Sequence, residues 1–273
     1  MPANKTALIT GSCGGIGTEV SRRLDALGYR LILIDYDQEK NQLLADQLKS
    51  ATAVAANLCD KQAVHALTQD IRETYGPLAL AFINAGTVVT GDLAELSSEH
   101  IDTQLDLNLN SAVHLIQACA QNMLEQSEGH IIATVSMGGI LSLKGSAVYA
   151  ASKFGLRGLL TGLRDELKPK GIKVSGIYPS GVDTAMLRYE AENDGSALNF
   201  LNTPRTVEQV GDSFIKALNT GKLEVYVPYY DSIGARLVSV FPGILSKLYP
   251  LLEFLGNRGR EKYLVKLRES RRA

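Results

Sequence analysis

Short apolar runs alternate along the chain with longer stretches in which apolar residues recur at helical spacing. Buried parallel strands carry nearly continuous apolar side chains, whereas an amphipathic helix repeats them every three or four residues. The alternation therefore predicts successive βαβ units. The predicted strands cover residues 7–10, 30–34, 52–56, 80–84, 130–135, 173–178 and 224–228.

Seven strands with helices between them predict an α/β fold of the doubly wound, Rossmann type. Because crossovers between parallel strands are right-handed, we expect a seven-stranded parallel sheet with helices on both faces. Neither a low-complexity stretch nor an internal repeat interrupts the alternation, which favours one domain. Residues 1–228 are assigned to that domain, and residues 229–273 to a C-terminal helical extension of it.

A glycine-rich turn follows the first predicted strand and leads into a predicted helix. Its residues 10–17 read TGSCGGIG. Gly11, Gly15 and Gly17 would let the backbone turn tightly and approach a pyrophosphate, whose charge is stabilised at a helix N-terminus. A strand, such a turn and a helix in succession are the context of a dinucleotide site.

An acidic residue, Asp35, ends the second predicted strand eighteen residues after Gly17. A carboxylate in that place accepts hydrogen bonds from the ribose hydroxyls of an adenosine. A 2′-phosphate would instead meet a negative charge, and the neighbouring candidates Gly14 and Tyr36 offer no cation to bind it. The sequence therefore predicts NAD as the cofactor and disfavours NADP.

A tyrosine and a lysine four residues apart, Tyr149 and Lys153, lie at the start of another predicted helix and share one face of it. An ammonium beside a phenol lowers the phenol pKa from about 10 toward the working pH, as general acid/base catalysis requires. The pair alone also fits a solvated pair on a helix surface. Ser136, however, follows the apolar run 130–135, and a parallel strand there would deliver it to the same sheet edge.

These spaced motifs resemble those of the short-chain dehydrogenase/reductase family over roughly residues 5–228. Residues 10–17 match the family's TGxxxGIG and residues 84–86 its NAG. The remaining matches are Asn108 for the catalytic Asn, Ser136 for the catalytic Ser, Tyr149 with Lys153 for YxxxK, and Pro179 with Thr184 for PGxxxT.

The resemblance implies a catalytic set of Asn108, Ser136, Tyr149 and Lys153. Tyr149 would transfer the substrate proton, and Ser136 would hydrogen-bond the carbonyl oxygen. Lys153 would lower the pKa of Tyr149 and hold the nicotinamide ribose. Asn108 would bind a water that links Lys153 to solvent, although an Asn that only kinks a helix is the alternative. The implied cofactor-binding residues are Gly11, Ser12, Gly15, Ile16, Gly17, Asp35, Asn57, Leu58, Asn84, Ala85, Gly86, Tyr149, Lys153, Pro179, Val182 and Thr184.

Three positions depart from the family pattern. Ile83 replaces an Asn, which should change only sheet packing. Asn57 stands where an Asp often contacts adenine, so either Asn57 or the nearby Asp60 would make that contact. Ser180 replaces the Gly after Pro179, which leaves the nicotinamide loop conformation open because a side chain restricts the backbone.

The function implied is NAD-dependent interconversion of a secondary alcohol and a ketone on an apolar, lipid-like or steroid-like substrate. An NADPH-dependent carbonyl reductase is one alternative, and a non-catalytic dinucleotide-sensing protein on the same fold is another. A homodimer or homotetramer is expected. The long connection at residues 186–203, rich in Asn, Gly and Ala, is interpreted as a mobile lid over the substrate.

Composition narrows the class of protein only slightly. The 273 residues are 45% apolar with a net charge of −1, so one substantial core is possible and no global field attracts nucleic acid. Cys13, Cys59 and Cys119 are odd in number and far apart, and no signal peptide is evident, which predicts reduced thiols and a cytoplasmic location. No metal site is predicted, because the histidines lack ligand spacing. They are His65, His100, His114 and His130.

The C-terminal extension is apolar at first and then basic. Residues 229–257 contain only four charged residues, but their longest charge-free run, 237–246, is ten residues, too short to span a membrane. Residues 258–273 hold seven basic and two acidic residues, a net charge of +5. Two interpretations follow: packing over the substrate cleft or a partner subunit, or peripheral attachment to an anionic bilayer.

Overall fold

The computed structural model describes residues 5–270, in which seven parallel strands form one sheet in the order β3-β2-β1-β4-β5-β6-β7. The strands are β1 (Thr6–Thr10), β2 (Arg30–Asp35), β3 (Ala51–Ala55), β4 (Leu78–Ile83), β5 (Gly129–Thr134), β6 (Ile172–Pro179) and β7 (Glu224–Val227). The helices are α1 (Gly15–Ala26), α2 (Gln38–Asp46), α3 (Lys61–Glu73), α4 (Ser98–Leu105), α5 (Ser111–Leu124), α6 (Ala147–Leu167), α7 (Ala185–Glu192), α8 (Val207–Thr220), α9 (Tyr229–Val240) and α10 (Pro242–Ser270).

All seven predicted strands are confirmed, with differences of up to two residues at their ends. Asn84, predicted as the last residue of β4, lies just beyond it, because its side chain and amide bind the end of β1 instead of a ladder partner. Pro228 likewise follows β7, since proline has no N–H for the sheet.

The doubly wound arrangement follows from alternate side chains of each strand. In β1, Leu8 belongs to one apolar cluster, whereas Ala7 and Ile9 belong to the other. Helices α3, α5 and α6 cover the first cluster, and α1, α2 and α8 cover the second. The predicted Rossmann-type sheet with helices on both faces is therefore confirmed. Ile83 is buried in the first cluster, where it acts only in packing.

The segment interpreted as a mobile lid, residues 186–203, is mostly helical. It forms α7 and a short 3-10 helix, Ala197–Phe200. Apolar side chains from both pieces pack against α10, which the connection's polar composition did not indicate. The buried members of this cluster are Leu187, Ala191, Phe200, Tyr263 and Leu267.

The C-terminal extension is helical, as predicted, and its two halves differ in their packing. The second half of α10 approaches the 3-10 helix so closely that a Cβ on Gly259 would lie 2.0 Å from the Phe200 carbonyl oxygen. Most of the large apolar side chains of residues 229–255 are exposed. Within the described residues, no helix is both long and apolar enough to cross a membrane.

Candidate active site

A cavity of about 930 Å³ extends along the carboxyl edge of the sheet. Strand ends, the glycine turn, the start of α6 and helix α7 all contribute to its wall. Of the residues implied by the family resemblance, the wall includes Gly11, Gly15, Ile16, Asp35, Asn57, Leu58, Asn84, Ala85, Gly86, Ser136, Tyr149, Lys153, Pro179, Val182 and Thr184. Ser12, Gly17 and Asn108 are buried behind it.

The glycine turn is shaped by close backbone contacts. Gly11 adopts a φ of 63° and donates its N–H to the Ile34 carbonyl at 2.8 Å. A Cβ on Gly17 would lie 2.1 Å from the Gly11 carbonyl oxygen. Ser12 does not reach the cavity, because its hydroxyl donates to Asn41 Oδ1 at 2.8 Å. The turn therefore brings its backbone to the cavity wall at the start of α1, where a helix N-terminus stabilises negative charge.

Asp35 is held in place by the backbone of two loops. Its carboxylate accepts hydrogen bonds from the N–H of Cys13 at 3.0 Å and from that of Asp37 at 3.2 Å. Lys40, which the sequence reasoning missed, also lines the cavity. Its Nζ pairs with Asp37 Oδ2 at 2.6 Å, so a carboxylate already engages this cation. The sequence did offer one signal for Lys40, namely its position in the first turn of α2, shortly after β2.

The two candidates for contacting adenine, Asn57 and Asp60, differ in their position relative to the cavity. Asn57 and Leu58 line the cavity, whereas Asp60 is not part of its wall. Asp60 caps α3 by accepting a hydrogen bond from the Gln62 N–H at 2.8 Å. Asp60 is thus a helix cap, and Asn57 keeps the position beside the cavity.

Asn84 ties three strand ends together. Its Nδ2 donates to the carbonyls of Thr10 and Gly11, at 3.3 and 3.2 Å, and its Oδ1 accepts from Thr134 Oγ1 at 2.9 Å. Gly86 lies so close to the candidate catalytic groups that a Cβ there would be 3.4 Å from Lys153 Nζ. Residues 84–86 therefore form the part of the cavity wall where β1, β4 and β5 end.

Ser136 has an unusual backbone conformation just beyond β5. Its φ of 132° and ψ of 159° lie in a region that is nearly exclusive to glycine and costs a non-glycine residue about 1–3 kcal/mol. Its Oγ accepts a hydrogen bond from the Gly138 N–H at 3.0 Å. Gly138 is a second residue that the sequence reasoning missed, since a Cβ there would lie 2.9 Å from Tyr149 Cε1. The loop thus brings Ser136 beside the Tyr149 ring.

Tyr149 and Lys153 lie in the first two turns of α6, but their electrostatics differ from the expectation. Desolvation raises the pKa of Tyr149 to about 12, although a hydrogen bond with Ser136 acts in the opposite direction. Burial lowers the pKa of Lys153 to about 8. The Lys153 ammonium donates to the Thr134 carbonyl at 3.0 Å, and its Nζ lies 5.8 Å from the centre of the Tyr149 ring. The expected lowering of the Tyr149 pKa by Lys153 is therefore not found, because burial dominates and raises this pKa.

Asn108 lies behind Lys153 in a π-helical turn, Asp106–Asn110, between α4 and α5. Its side chain accepts from the Thr87 N–H at 2.8 Å, donates to the Thr87 carbonyl at 2.8 Å, and donates to Ser152 Oγ at 3.2 Å. The helix is distorted at this residue, as the alternative interpretation foresaw. The same distortion ties Asn108 to the cavity-lining segment at Thr87.

The loop after β6 accommodates Ser180 without a left-handed backbone, since this residue is not among those with positive φ in the described chain. Its N–H donates to the Val227 carbonyl at 2.9 Å. Val182 pairs with Arg205 in a parallel bridge, and Thr184 precedes α7. The replacement of glycine therefore leaves this loop in an ordinary conformation.

Glu190 is a buried acid in the cavity wall that the sequence reasoning did not identify. It lies on α7, and its Oε1 accepts a hydrogen bond from Asn199 Nδ2 at 2.9 Å. Burial raises its pKa to about 7, and its charge raises the pKa of Tyr149. Sequence offered no signal for it, because α7 was interpreted as a loop.

The histidines and cysteines lie in unremarkable places. His65, His100 and His114 are exposed, whereas His130 is buried and shares a hydrogen bond of 2.8 Å with Ser175. Burial lowers the pKa of His130 to about 4. The three cysteines are free.

The family is identified by comparison with known proteins. A family model described as short chain dehydrogenase matches residues 5–195. An uncharacterized oxidoreductase of Staphylococcus aureus (strain MW2) is 32% identical over 185 residues, covering 67% of this chain and 80% of that protein. An uncharacterized oxidoreductase of Staphylococcus epidermidis is 28% identical over 222 residues, covering 78% and 96%.

Solved structures share the fold. A short-chain dehydrogenase from Sphingobium yanoikuyae in complex with NADPH has a TM-score of 0.77 at 24% identity, covering 89% of this chain and 95% of that chain. A bulky-bulky ketone specific alcohol dehydrogenase from Comamonas testosteroni scores 0.75 at 24% identity, with coverage of 89% and 94%. A short chain dehydrogenase/reductase from Burkholderia phymatum in complex with NAD scores 0.76 at 23% identity, with coverage of 86% and 92%. On the match to the family model, this chain belongs to the short-chain dehydrogenase/reductase family of oxidoreductases.

Proposed function

We propose that the protein interconverts a secondary alcohol and a ketone with NAD as its cofactor. The observation that carries this proposal is the meeting of Ser136, Tyr149 and Lys153 with the glycine turn and Asp35 in one cavity. Binding of the dinucleotide alone would need only the glycine turn and Asp35. A phenol, a hydroxyl and a buried ammonium in the same cavity supply proton transfer as well, which disfavours a purely dinucleotide-sensing role.

The cofactor half of the cavity fits a dinucleotide on the basis of this chain's own residues. Gly11 and Gly15 line the cavity at the start of α1, where a diphosphate would be stabilised, and Gly17 lets the turn pack closely on Gly11. Asp35 has its carboxylate fixed by two backbone N–H groups, so it is preorganised to accept ribose hydroxyls. When bound, the nicotinamide supplies or accepts the hydride.

The proton transfer is assigned to Tyr149. With its pKa raised to about 12, the phenol is protonated at neutral pH and can donate to a ketone oxygen. Ser136 hydrogen-bonds the same oxygen as charge develops on it. The Lys153 ammonium stabilises the phenolate that remains, and its pKa of about 8 keeps it mostly charged at neutral pH. Asn108 fixes the segment behind Lys153 through its hydrogen bonds to Thr87.

The substrate is proposed to be bulky and largely apolar. The far side of the cavity is lined by apolar residues of three segments, with Glu190 and Asn199 as polar exceptions. A wall of this composition binds a hydrocarbon framework and positions one or two polar groups. The apolar residues in question are Val88, Val89, Leu141, Leu143, Met186 and Leu187. We further propose a cytoplasmic homodimer or homotetramer.

One observation favours the second candidate, an NADPH-dependent carbonyl reductase. Lys40 lines the adenosine end of the cavity and could bind a 2′-phosphate if it left Asp37. Against this, Asp35 is buried and fixed, so a phosphate would have to approach two carboxylates. The charge balance favours NAD.

A substrate screen tests both candidates together. The wild-type protein is assayed with secondary alcohols graded by chain length and ring count, using NAD and NADP in parallel, and with the matching ketones and reduced cofactors. We expect turnover that rises with apolar bulk and a higher kcat/KM with NAD. Turnover only with the phosphorylated cofactor would select the carbonyl reductase, and binding of cofactor without any turnover across the panel would contradict an enzymatic role.

A further inference from the structure

Exposed apolar side chains are concentrated on the C-terminal extension. Of the nineteen large apolar residues that are exposed in the described chain, eleven lie within residues 229–255. On α9 and the residue after it, the helical spacing places them on one side. These are Tyr229, Tyr230, Ile233, Leu237, Val240 and Phe241.

The first half of α10 has two apolar sides with different surroundings. Leu245, Tyr249 and Leu252 are partly buried and continue, at helical spacing, into the buried Gly256. Tyr249 Oη accepts a hydrogen bond from the Lys144 N–H at 3.1 Å, so this side faces the body of the protein. The other side is exposed and carries Ile244, Leu248, Leu251, Phe254 and Leu255. The exposed sides of α9 and α10 are hereafter the apolar surface.

The exposed charges beside the apolar side chains of α10 are cationic. Residues 232–252 contain no Asp or Glu, and the next acid, Glu253, is half-buried and lies, at helical spacing, on the side of α10 opposite Ile244. Lys247 is exposed, and the Arg258 guanidinium lies 4.5 Å from the centre of the Phe254 ring, a cation lying over an exposed aromatic side chain. The nearest acid on the N-terminal side, Asp231, accepts a hydrogen bond from Asn202 at 3.0 Å. An apolar face with cations and few accessible carboxylates complements an anionic surface.

We propose that the apolar surface docks on an anionic lipid bilayer as a peripheral membrane contact. A second copy of this chain is the main competitor, but a two-fold contact would bring the same patch from each copy together. Lys247 and Arg258 would then face the same cationic side of the other copy, where the only acid of residues 232–258, Glu253, is half-buried on the opposite side of α10. Lipid phosphates would instead neutralise them, while the aliphatic and aromatic side chains enter the headgroup boundary.

Docking in this way would place the bilayer beside the substrate cavity. Tyr249, on the inner side of α10, contacts Lys144 in the segment that includes the cavity-lining residues Leu143 and Ser146. The membrane contact itself does not depend on the proposed reaction, because it rests only on the surface of α9 and α10. It would, however, supply an apolar substrate from the lipid phase.

Vesicle flotation of the full chain tests this proposal. Truncation is unsuitable, because the second half of α10 packs on the 3-10 helix. We expect flotation with vesicles of phosphatidylcholine mixed with phosphatidylglycerol, weaker flotation with phosphatidylcholine alone, and loss at high salt. The double variant Leu237→Glu/Leu251→Glu should reduce bound protein at least tenfold. Lys247→Glu should reduce it about fivefold or more, the equivalent of ~1 kcal/mol per basic residue.

The matched control is Leu43→Glu, which charges a leucine of similar exposure on α2, at 55% against 64% for Leu237. It should float like the wild type, and unchanged NAD binding or circular dichroism shows that each variant is folded. The proposal is overturned if the wild type fails to float with anionic vesicles. It is equally overturned if light scattering shows a dimer that the double variant dissociates while flotation is unaffected, since the surface would then bind a second copy.

Discussion

At the scale of single residues, the cavity controls protonation mainly by removing water. Tyr149, Lys153 and Glu190 all have pKa values moved toward the neutral form, to about 12, 8 and 7. Tyr149 must release a proton and regain it in each reaction cycle. A neutral phenol with a charged ammonium nearby suits this role. The protonation of Glu190 is an additional variable, because its charge acts on Tyr149.

Glu190 should make stability depend on pH. Its pKa rises from 4.5 in the unfolded chain to about 7 on folding, so the folded state binds the proton more tightly. The stabilising effect is full below about pH 4.5 and is lost as the pH rises through about 7, with an upper bound on the order of 3 kcal/mol. Urea unfolding of wild type and Glu190→Gln across this range measures it.

The quantity to compare is the difference in unfolding free energy between wild type and Glu190→Gln. Both proteins contain His130, whose pKa is lowered to about 4, so its opposite pH trend cancels in the difference. We expect the wild type to lose stability relative to Glu190→Gln as the pH rises. A difference that stays constant between pH values near 4.5 and 8 would contradict the burial of this acid.

The proposed preference for NAD depends on two carboxylates, Asp35 at the end of β2 and Asp37 at the start of α2. Asp35→Ser removes the charge that repels a 2′-phosphate, and Asp37→Asn releases Lys40 while keeping a residue that can cap α2. The double variant should shift the ratio of NADP to NAD affinity about tenfold or more toward NADP. Calorimetric titration with both cofactors measures the ratio, with Asp37→Asn alone as the control. An unchanged ratio in the double variant would contradict the role of Asp35.

At the scale of secondary-structure elements, predictability from sequence followed the strength of the local pattern. The β-strands were found because runs such as residues 130–135 are apolar throughout. Helix α7 was missed because it buries only Leu187, Glu190 and Ala191, too few apolar side chains to give a clear helical period. Its stability comes from packing under α10, which no local window contains.

The close contact of α10 with the 3-10 helix can be tested by a pair of glycine substitutions. A Cβ on Gly256 would lie 2.2 Å from the Ala197 carbonyl oxygen, whereas a Cβ on Gly234, in α9, meets nothing within 4 Å. Gly256→Ala should therefore cost about 1–3 kcal/mol. Gly234→Ala should stabilise by up to about 1 kcal/mol, because alanine favours helix. Thermal unfolding measures both.

Hydrogen exchange locates the effect of these substitutions. Gly256→Ala should reduce amide protection in the 3-10 helix, Ala197–Phe200, and leave β1 unchanged. Equal stability of the two variants would contradict the packing of α10 described above.

At the scale of the whole molecule, sequence motifs located the cavity wall but not its full chemistry. Ser136, Tyr149 and Lys153 could be placed together because strand ends and helix starts meet at one edge of a parallel sheet. Gly138 and Glu190 could not, since their relevance comes from their proximity to Tyr149 in the folded chain. Lys40 was missed although its place shortly after β2 offered a signal. The exposure of the apolar surface could not be predicted from the sequence either, because an apolar stretch has the same sequence pattern whether it is buried or exposed.

The central claim is that Tyr149 transfers the substrate proton in an NAD-dependent reaction, and one comparison tests it most directly. Turnover of wild type and Tyr149→Phe is measured on the best alcohol from the screen, together with NAD affinity by calorimetry. Because the substitution removes only the hydroxyl, turnover should fall by about 10² or more while NAD affinity stays near that of the wild type. Retention of most of the activity by Tyr149→Phe, with NAD still bound, would contradict the claim.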